Sequence, residues 1–182
     1  MNLRLVTVSE TFEDKEILKK INEDSFPKEE RIEWEMLVRL GNRDSFDFKA
    51  VYDVDTLVGF YMVVVHSKSV YVFFLAVDEN KRSRGYGSAI LKLLQENYKE
   101  YQIILDLEQI DEMASNNEQR ITRKKFYLRN DFFETGYFMK YHGITFEVLC
   151  SNDEFDVNDF TKLLDTLRNK YFQPRLFQQK IS

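Results

Sequence analysis

The sequence predicts a mixed α/β fold: a mostly antiparallel central sheet of about seven strands, one parallel pair within it, and helices on its flanks. Three observations predict it. A meander of strand-like runs fills Phe46 to Val77, a strand–helix–strand order covers Val70 to Leu107, and a hairpin pattern between Phe132 and Cys150 precedes one more amphipathic helix. A right-handed crossover makes the two strands of the second feature parallel neighbours.

The elements follow in order. Leu3, Leu5 and Thr7 alternate with Arg4, Val6 and Val8 as a first strand. From Thr11 to about Glu23, Phe12, Ile17, Leu18 and Ile21 recur at helical spacing, and Ser25-Phe26-Pro27 ends the segment because Pro restricts the residue before it. A second helix carries Ile32, Met36 and Leu40, with Gly41 where a left-handed cap is expected. Three strands come next, Phe46 to Tyr52, Leu57 to Val65 and Val70 to Val77, with turns at Asp53-Val54-Asp55 and Ser67-Lys68-Ser69. The last of these is almost wholly apolar, as a central strand covered on both faces should be.

Beyond the loop Asp78 to Arg84, Ile90, Leu93, Leu94 and Tyr98 mark a helix, and Ile103 to Leu107 a strand. Glu118 to Asn130 is a basic helix. Strands from Phe132 to Lys140 and from Ile144 to Cys150 meet at His142-Gly143, and a helix spans Val157 to Leu167. The tail beyond Tyr171 shows no periodicity. The expectation is one domain over residues 1–182, ending in a helical extension from about residue 155.

Composition removes several function classes. Hydrophobic residues make up 43% and aromatics 15%, enough apolar area for a packed core. A net charge of -5 argues against nucleic acid, whose phosphates demand concentrated Lys and Arg, and fits a cationic partner better. The single cysteine, Cys150, cannot form an internal disulfide, and the two histidines lack the spacing of a zinc site, so no metal is expected. The Met1 to Val6 start has neither a signal-peptide core nor an apolar span of about 18 residues, which predicts a cytoplasmic protein without a membrane anchor. An isologous homodimer is the default assembly.

The most informative segment runs from Leu75 to Ser88, where a buried strand empties into a glycine-containing turn that opens a helix. A helix start leaves about four amides without partners and carries roughly half a positive charge, and glycine admits a pyrophosphate without an obstructing Cβ. Arg82 and Arg84 add charge. A Walker A loop needs Lys-Ser/Thr after its last Gly, which is absent. A dinucleotide fingerprint needs Gly or Ala where Ile90 stands. What remains is Arg82-x-x-Gly85-x-Gly87 at a strand-to-helix junction.

That motif resembles the acyl-CoA loop of the GNAT acetyltransferases. The meander before it, the helix and strand after it, and Lys125-Phe126-Tyr127-Leu128-Arg129-Asn130-Asp131-Phe132 fall in the order of that family, over roughly Leu3 to Cys150. The resemblance implies N-acetyl transfer from acetyl-CoA to an amine by direct attack. It implies that Leu75, Ala76 and Val77 meet the pantetheine arm and that the amides of Arg82, Ser83, Arg84, Gly85, Tyr86, Gly87 and Ser88 hold the pyrophosphate. Where the family usually has Gly-Phe, this chain has Asp131-Phe132, and Asp tolerates the left-handed backbone better than most residues.

Acetyl transfer needs a neutral amine, a stabilised oxyanion and a proton for the departing thiolate. Tyr127 matches the tyrosine that the family commonly uses as the acid, and a core aromatic is its other reading. Glu108, at the carboxyl end of the later strand, is the expected base, with Asp106 of the same parity next and a solvated strand-end charge as the alternative. Glu29 and Glu30 are expected at the amine pocket, or as helix N-terminal acids. Asn117 either caps its helix or bonds the pantetheine amide. The basic run Arg120 to Arg129 either meets the ribose phosphate or faces solvent. Two rivals stand beside transfer: an inactive acyl-CoA-binding module, and a protein-interaction domain.

Overall fold

The computed structural model describes residues 1–26 and 31–179, and the chain divides into two compact units, Met1–Val65 with Val72–Glu96 and His66–Tyr71 with Asn97–Ser182. Neither unit is contiguous in sequence.

In the first unit the expected meander forms from β1 (Leu3–Thr7), β2 (Phe46–Asp53), β3 (Thr56–His66) and β4 (Ser69–Val77). β1 and β2 pair antiparallel from Leu3↔Asp53 to Thr7↔Lys49, and β2 pairs with β3 from Phe46↔Val64 to Asp53↔Thr56. The register slips between Val51 and Tyr52, opposite Gly59 and Leu57. Val58, Phe60, Met62 and Val64 are fully buried, which anchors β3 as a central strand.

Helix α1 (Lys15–Ser25) starts four residues later than its periodicity suggests. Leu18 and Ile21 are buried, Phe12 is buried ahead of the helix, and Ile17 faces solvent. Helix α2 (Trp34–Gly41) ends through Asn42 in a right-handed conformation, and Gly41 is not a left-handed cap. Gly41 serves close packing instead: a Cβ there would lie 2.9 Å from the Cβ of Phe48. Helix α3 (Tyr86–Asn97) buries Ile90, Leu91 and Leu94.

The second unit contains β5 (Gln102–Glu108), α4 (Asn117–Leu128), β6 (Phe133–Tyr141), β7 (Ile144–Cys150), α5 (Val157–Leu167) and β8 (Arg175–Gln178). β5 lies parallel to the start of β4 through three pairs only, Ser69↔Gln102, Val70↔Ile103 and Tyr71↔Ile104. On its other edge β5 pairs antiparallel with β7 from Ile104↔Cys150 to Glu108↔Phe146. The β6–β7 turn places His142 and Gly143 at φ of 50° and 80°, as a primed hairpin turn requires. Asp131 takes a φ of 61°, so aspartate fills the left-handed position after α4.

Strand β8 corrects the reading of the tail. Arg175–Gln178 pairs antiparallel with β6, and Phe177 stacks on Phe138 at 6.1 Å, so the C-terminal extension is helix plus edge strand rather than helical throughout. Among the described residues the sheet has eight strands, in the order β1-β2-β3-β4-β5-β7-β6-β8. Four residues of mixed polarity at an edge carry too little pattern to announce a strand. Among the described residues no helix is long and apolar enough to cross a membrane.

A buried polar network closes the parallel ladder. Asp159 of α5, only 7% exposed, accepts from the Ser69 hydroxyl at 2.6 Å and the Lys68 amide at 3.1 Å. The Gln102 amide donates to Ser69 Oγ at 2.8 Å and to the Asp156 carbonyl at 3.0 Å, while its oxygen accepts from the Asp156 amide at 2.9 Å. Burial raises the Asp159 carboxyl, but the Ser69 and Ser67 hydroxyls and the Lys68 amide outweigh it and hold the group below its ordinary value. A depressed folded pKa stabilises the fold above the unfolded value near 3.9 and loses that contribution as pH falls through the folded value. Asp159→Asn should therefore lower stability at pH 7 by about 1–3 kcal/mol. The gap to wild type should close as the pH of the thermal melts is taken below about 4.

Candidate active site

The first unit contains the turn that the sequence marks as a candidate anion-holding loop. Asp78 ends β4 and caps the 3₁₀ turn Glu79–Lys81, accepting from the Asn80 amide at 3.0 Å and ion-pairing with Lys81. Arg82 then folds back, with Nε donating to the Val77 carbonyl at 3.3 Å and its terminal nitrogen to Ser25 Oγ at 3.2 Å. Ser83 and Gly85 take φ of 61° and 86°, so two left-handed residues bracket Arg84. Alternation of this kind turns successive amides toward one side, as in an anion-binding nest.

Helix α3 opens directly after this turn. Its first backbone bond runs from the Ala89 amide to the Gly85 carbonyl at 3.0 Å, so Tyr86, Gly87 and Ser88 precede the intrahelical ladder and their amides have no carbonyl within the helix. The Tyr86 hydroxyl donates to Asp53 Oδ2 at 2.9 Å and fixes the helix start on the β2–β3 turn. Asp53 also accepts from the Asn2 amide at 2.8 Å. That bond, with the Tyr86 hydroxyl after it, holds its carboxyl below the ordinary value. Arg84 is exposed, and among the described residues its side chain makes no hydrogen bond or ion pair.

The strand leading into the turn is shaped by a glycine that the motif search does not reveal. A Cβ on Gly59 of β3 would lie 2.3 Å from the Ala76 carbonyl oxygen and 3.3 Å from Val77 Cα. The Ala76 carbonyl thus leans into space that any other residue at 59 would fill. Leu75 and Val77 are half-buried while Ala76 is buried, so alternate residues of the strand end reach the surface.

The second unit gathers the titratable groups. Glu108 is engaged on both oxygens: Arg120 reaches Oε1 at 2.7 Å, and Asn116 donates to Oε2 at 3.2 Å with Arg123 at 3.7 Å from it. Arg120 also donates to the Gln109 carbonyl at 2.7 Å. These bonds fasten the first turns of α4 to β5, and they suit a clamp better than the base that position alone suggests. Asn117 neither caps α4 nor stays unengaged, for its Oδ1 accepts from the Asp111 amide at 3.0 Å. Of the basic run, Lys124 is tied to Glu134 and to Glu147 at 2.8 Å, which leaves Lys125 and Arg129 on the outer face.

Tyr127 is half-buried on α4, with ring contacts to Phe126 at 5.2 Å and Phe132 at 5.9 Å. Among the described residues its hydroxyl has no hydrogen-bond partner. Burial raises its phenol above the ordinary value, Arg123 opposes, and the charge of Asp106 adds to the rise, so the group keeps its proton at neutral pH. Asp106 accepts from two tyrosines, Tyr71 at 2.5 Å and Tyr141 at 2.8 Å, neither of which the motif reading singles out. Cys150 is buried, and burial pushes its thiol up to about 11, which suits packing rather than nucleophilic chemistry. Glu29 and Glu30 lie outside the described residues. Among the described residues no cluster of His, Cys, Asp or Glu could hold a metal ion.

Residues 45–134 match the family model of the acetyltransferase (GNAT) domain. Solved structures with the same fold include an acetyltransferase of the GNAT family from Bacteroides thetaiotaomicron, 23% identical with a TM-score of 0.72, covering 90% of this chain and 95% of that one. The ribosomal-protein-S18-alanine N-acetyltransferase from Escherichia coli is 15% identical with a TM-score of 0.62, covering 85% and 97%. An aminoglycoside 6'-N-acetyltransferase complexed with coenzyme A is 15% identical with a TM-score of 0.63, covering 84% and 99%. No curated protein matches the chain by sequence.

Gly59→Ala should destabilise the fold by about 1–3 kcal/mol, because backbone rather than a flexible side chain must yield. A lower urea midpoint at unchanged slope would report it.

Proposed function

We propose that this chain is an acetyl-CoA-dependent N-acetyltransferase acting on a primary amine by direct attack within a ternary complex. The observation that carries the reading is the turn from Asp78 to Ser88, where two left-handed residues lead into the first amides of α3 at the end of an apolar strand. The match of residues 45–134 to the GNAT acetyltransferase domain model and the coenzyme A bound in a protein of the same fold support it.

Acetyl-CoA supplies a thioester whose carbonyl carbon is open to a nucleophilic nitrogen. In this reading the backbone of Leu75 to Val77 pairs with the pantetheine arm, as an added strand would. The amides from Arg82 to Ser88 take the pyrophosphate, with Arg84 adding charge. Glu108 holds α4 through Arg120 and so positions Tyr127. Tyr127 donates its hydrogen to the departing sulfur and regains the proton that the attacking nitrogen loses on becoming an amide; a phenol raised by burial is a weaker acid than the thiol, so this relay, rather than the acidity of Tyr127 alone, supplies the sulfur's proton. The structural neighbours act, by their names, on a protein alanine and an aminoglycoside, and this chain's net charge of -5 favours a small cationic acceptor. A lone buried cysteine and an acyl-CoA cosubstrate suit the cytoplasm.

Two measurements test the reading. Tyr127→Phe should reduce kcat by about 10² or more while leaving the calorimetric affinity for acetyl-CoA unchanged. Unchanged turnover would remove Tyr127 from the role of acid. Gly87→Trp should abolish the heat of acetyl-CoA binding with the thermal melt of the apo protein preserved. Equal heats for variant and wild type would favour a protein-interaction domain, and binding without CoA release on adding amines would favour an inactive acyl-CoA-binding module.

A further inference from the structure

Helix α4 buries none of its twelve residues, whereas α1, α2, α3 and α5 each bury two or more. Ile121 and Phe126 are only half-buried. A helix ordinarily takes its place in a fold by covering an apolar stripe, and this one has no such stripe to cover. What it offers instead is Arg120, Lys124 and Tyr127, spaced four and three residues apart and therefore on one side of the helix. The side chains of Arg120 and Lys124 are 15% and 16% exposed, and each meets carboxylates of the second unit's strands. Arg120 pairs with Glu108 of β5, and Lys124 with Glu147 of β7 and Glu134 of β6. Charge, rather than apolar burial, seats α4 on its own unit.

The seat of Lys124 differs from that of Arg120 in two respects. Its anchor lies in the middle of the sheet: Glu147 is 7% exposed, paired with Leu107 of β5 on one side and Phe138 of β6 on the other. Among the described residues Lys124 is the one cation within ion-pair distance of Glu147, with Nζ donating to Oε1 at 2.8 Å. Each charge needs the other, because an ion withdrawn from water without a counter-ion is strongly disfavoured. Burial lowers the Lys124 ammonium, but the hydrogen bonds to Glu134 and Glu147 outweigh it and hold the group above its ordinary value, so the charge persists at neutral pH.

The second difference is distance from Tyr127. At about 1.5 Å of rise per residue, Arg120 is about 10 Å from Tyr127 along the helix axis and Lys124 about 4.5 Å. A helix held at Arg120 alone would pivot there, and its swing would grow toward Tyr127. Phe132 is buried and meets the Tyr127 ring at 5.9 Å, but an apolar ring contact is non-directional and lets the phenol slide. A hydrogen-bonded ion pair to a central strand fixes direction as well as distance.

We infer that Lys124, seated on Glu147 and Glu134, is a positioning residue that fixes the turn of α4 from which Tyr127 acts. The inference rests on the acetyltransferase reading with Tyr127 as proton donor, and adds to it the group that keeps the donor in place. Lys124 has no part in binding either substrate, and its effect passes through Tyr127. A displacement of about 1 Å at the reacting atoms is enough to lower a rate by about 10², so a loosened α4 loses turnover while acyl-CoA binding persists.

The test uses the full chain with acetyl-CoA at saturation, reading free thiol, with n-butylamine, spermidine and kanamycin as trial acceptors and kcat taken on the best of them. Lys124→Met should lower kcat about tenfold or more and leave the calorimetric affinity for acetyl-CoA within about twofold of wild type. Lys124→Arg, which keeps the charge, should recover most of the loss. In a Tyr127→Phe background, Lys124→Met should change kcat by less than about twofold, because the group it positions is gone. Should Lys124→Met prove too unstable to purify, Lys124→Met combined with Glu147→Gln removes both charges, leaves no unpaired ion in the sheet, and should show the same pattern. Wild-type kcat in Lys124→Met, or an equal fractional loss in both backgrounds as a purely stabilising role produces, would overturn the inference and leave Tyr127 as the donor. Full turnover in Tyr127→Phe would overturn the donor role, and the inference with it. A wild type that binds no acetyl-CoA, or binds it and releases no thiol with any of the three amines, would overturn the acetyltransferase reading itself and everything resting on it.

Discussion

Three residue pairs between β4 and β5 are the constraint on which the rest of the structure depends. Ser69, Val70 and Tyr71 meet Gln102, Ile103 and Ile104, and a buried network of Ser69, Gln102 and Asp159 locks the pairs in register from below. Past that short ladder β4 continues for six residues to the turn proposed to hold the pyrophosphate, and β5 continues for four through the carboxylates Asp106 and Glu108. A weaker ladder would leave the start of β4 free to slip, and every side chain on it would change faces.

Electrostatics then divides the labour between two acids that the sequence makes look equivalent. Glu108 is neutralised by α4 and fixes that helix, and with it Tyr127. Asp106 accepts from the phenols of Tyr71 and Tyr141 and forms no ion pair among the described residues. In the first unit the same economy applies to the backbone. Tyr86, Asp53 and Asn2 hold the start of α3 in place, while the amides at that start stay out of the intrahelical ladder. Rigid support with unsatisfied groups at one end is the arrangement that binding and catalysis require.

The sequence makes most of the architecture legible because its periodicities are strong. The meander, the parallel pair, the β6–β7 hairpin at His142-Gly143 and the helix Val157–Leu167 follow from alternation, helical spacing and turn chemistry. β8 escapes notice because Arg175 to Gln178 is a short edge strand defined by its pairing to β6, a long-range contact with no local signature. Gly41 shows a similar limit: a glycine after an apolar stripe looks like a left-handed cap, whereas here the approach of Phe48 sets the requirement. In the candidate site the motif exposes the turn from Arg82 to Ser88, because glycine spacing at a strand-to-helix junction is a local property. Parity along β5 brings Glu108 and Asp106 forward together but cannot tell which of them meets Arg120. Tyr71, Tyr141 and Gly59 owe their importance to partners 35, 35 and 17 positions away in the chain, beyond the reach of any local pattern.

The central claim is that the end of β4 and the start of α3 hold an acyl-CoA through their backbone. Amide hydrogen exchange of the intact protein, with and without acetyl-CoA, addresses it most directly. The account predicts slowed exchange in peptides covering Val72–Val77 and Arg82–Ser88 when acetyl-CoA is present. Binding heat accompanied by unchanged exchange in both segments would contradict it.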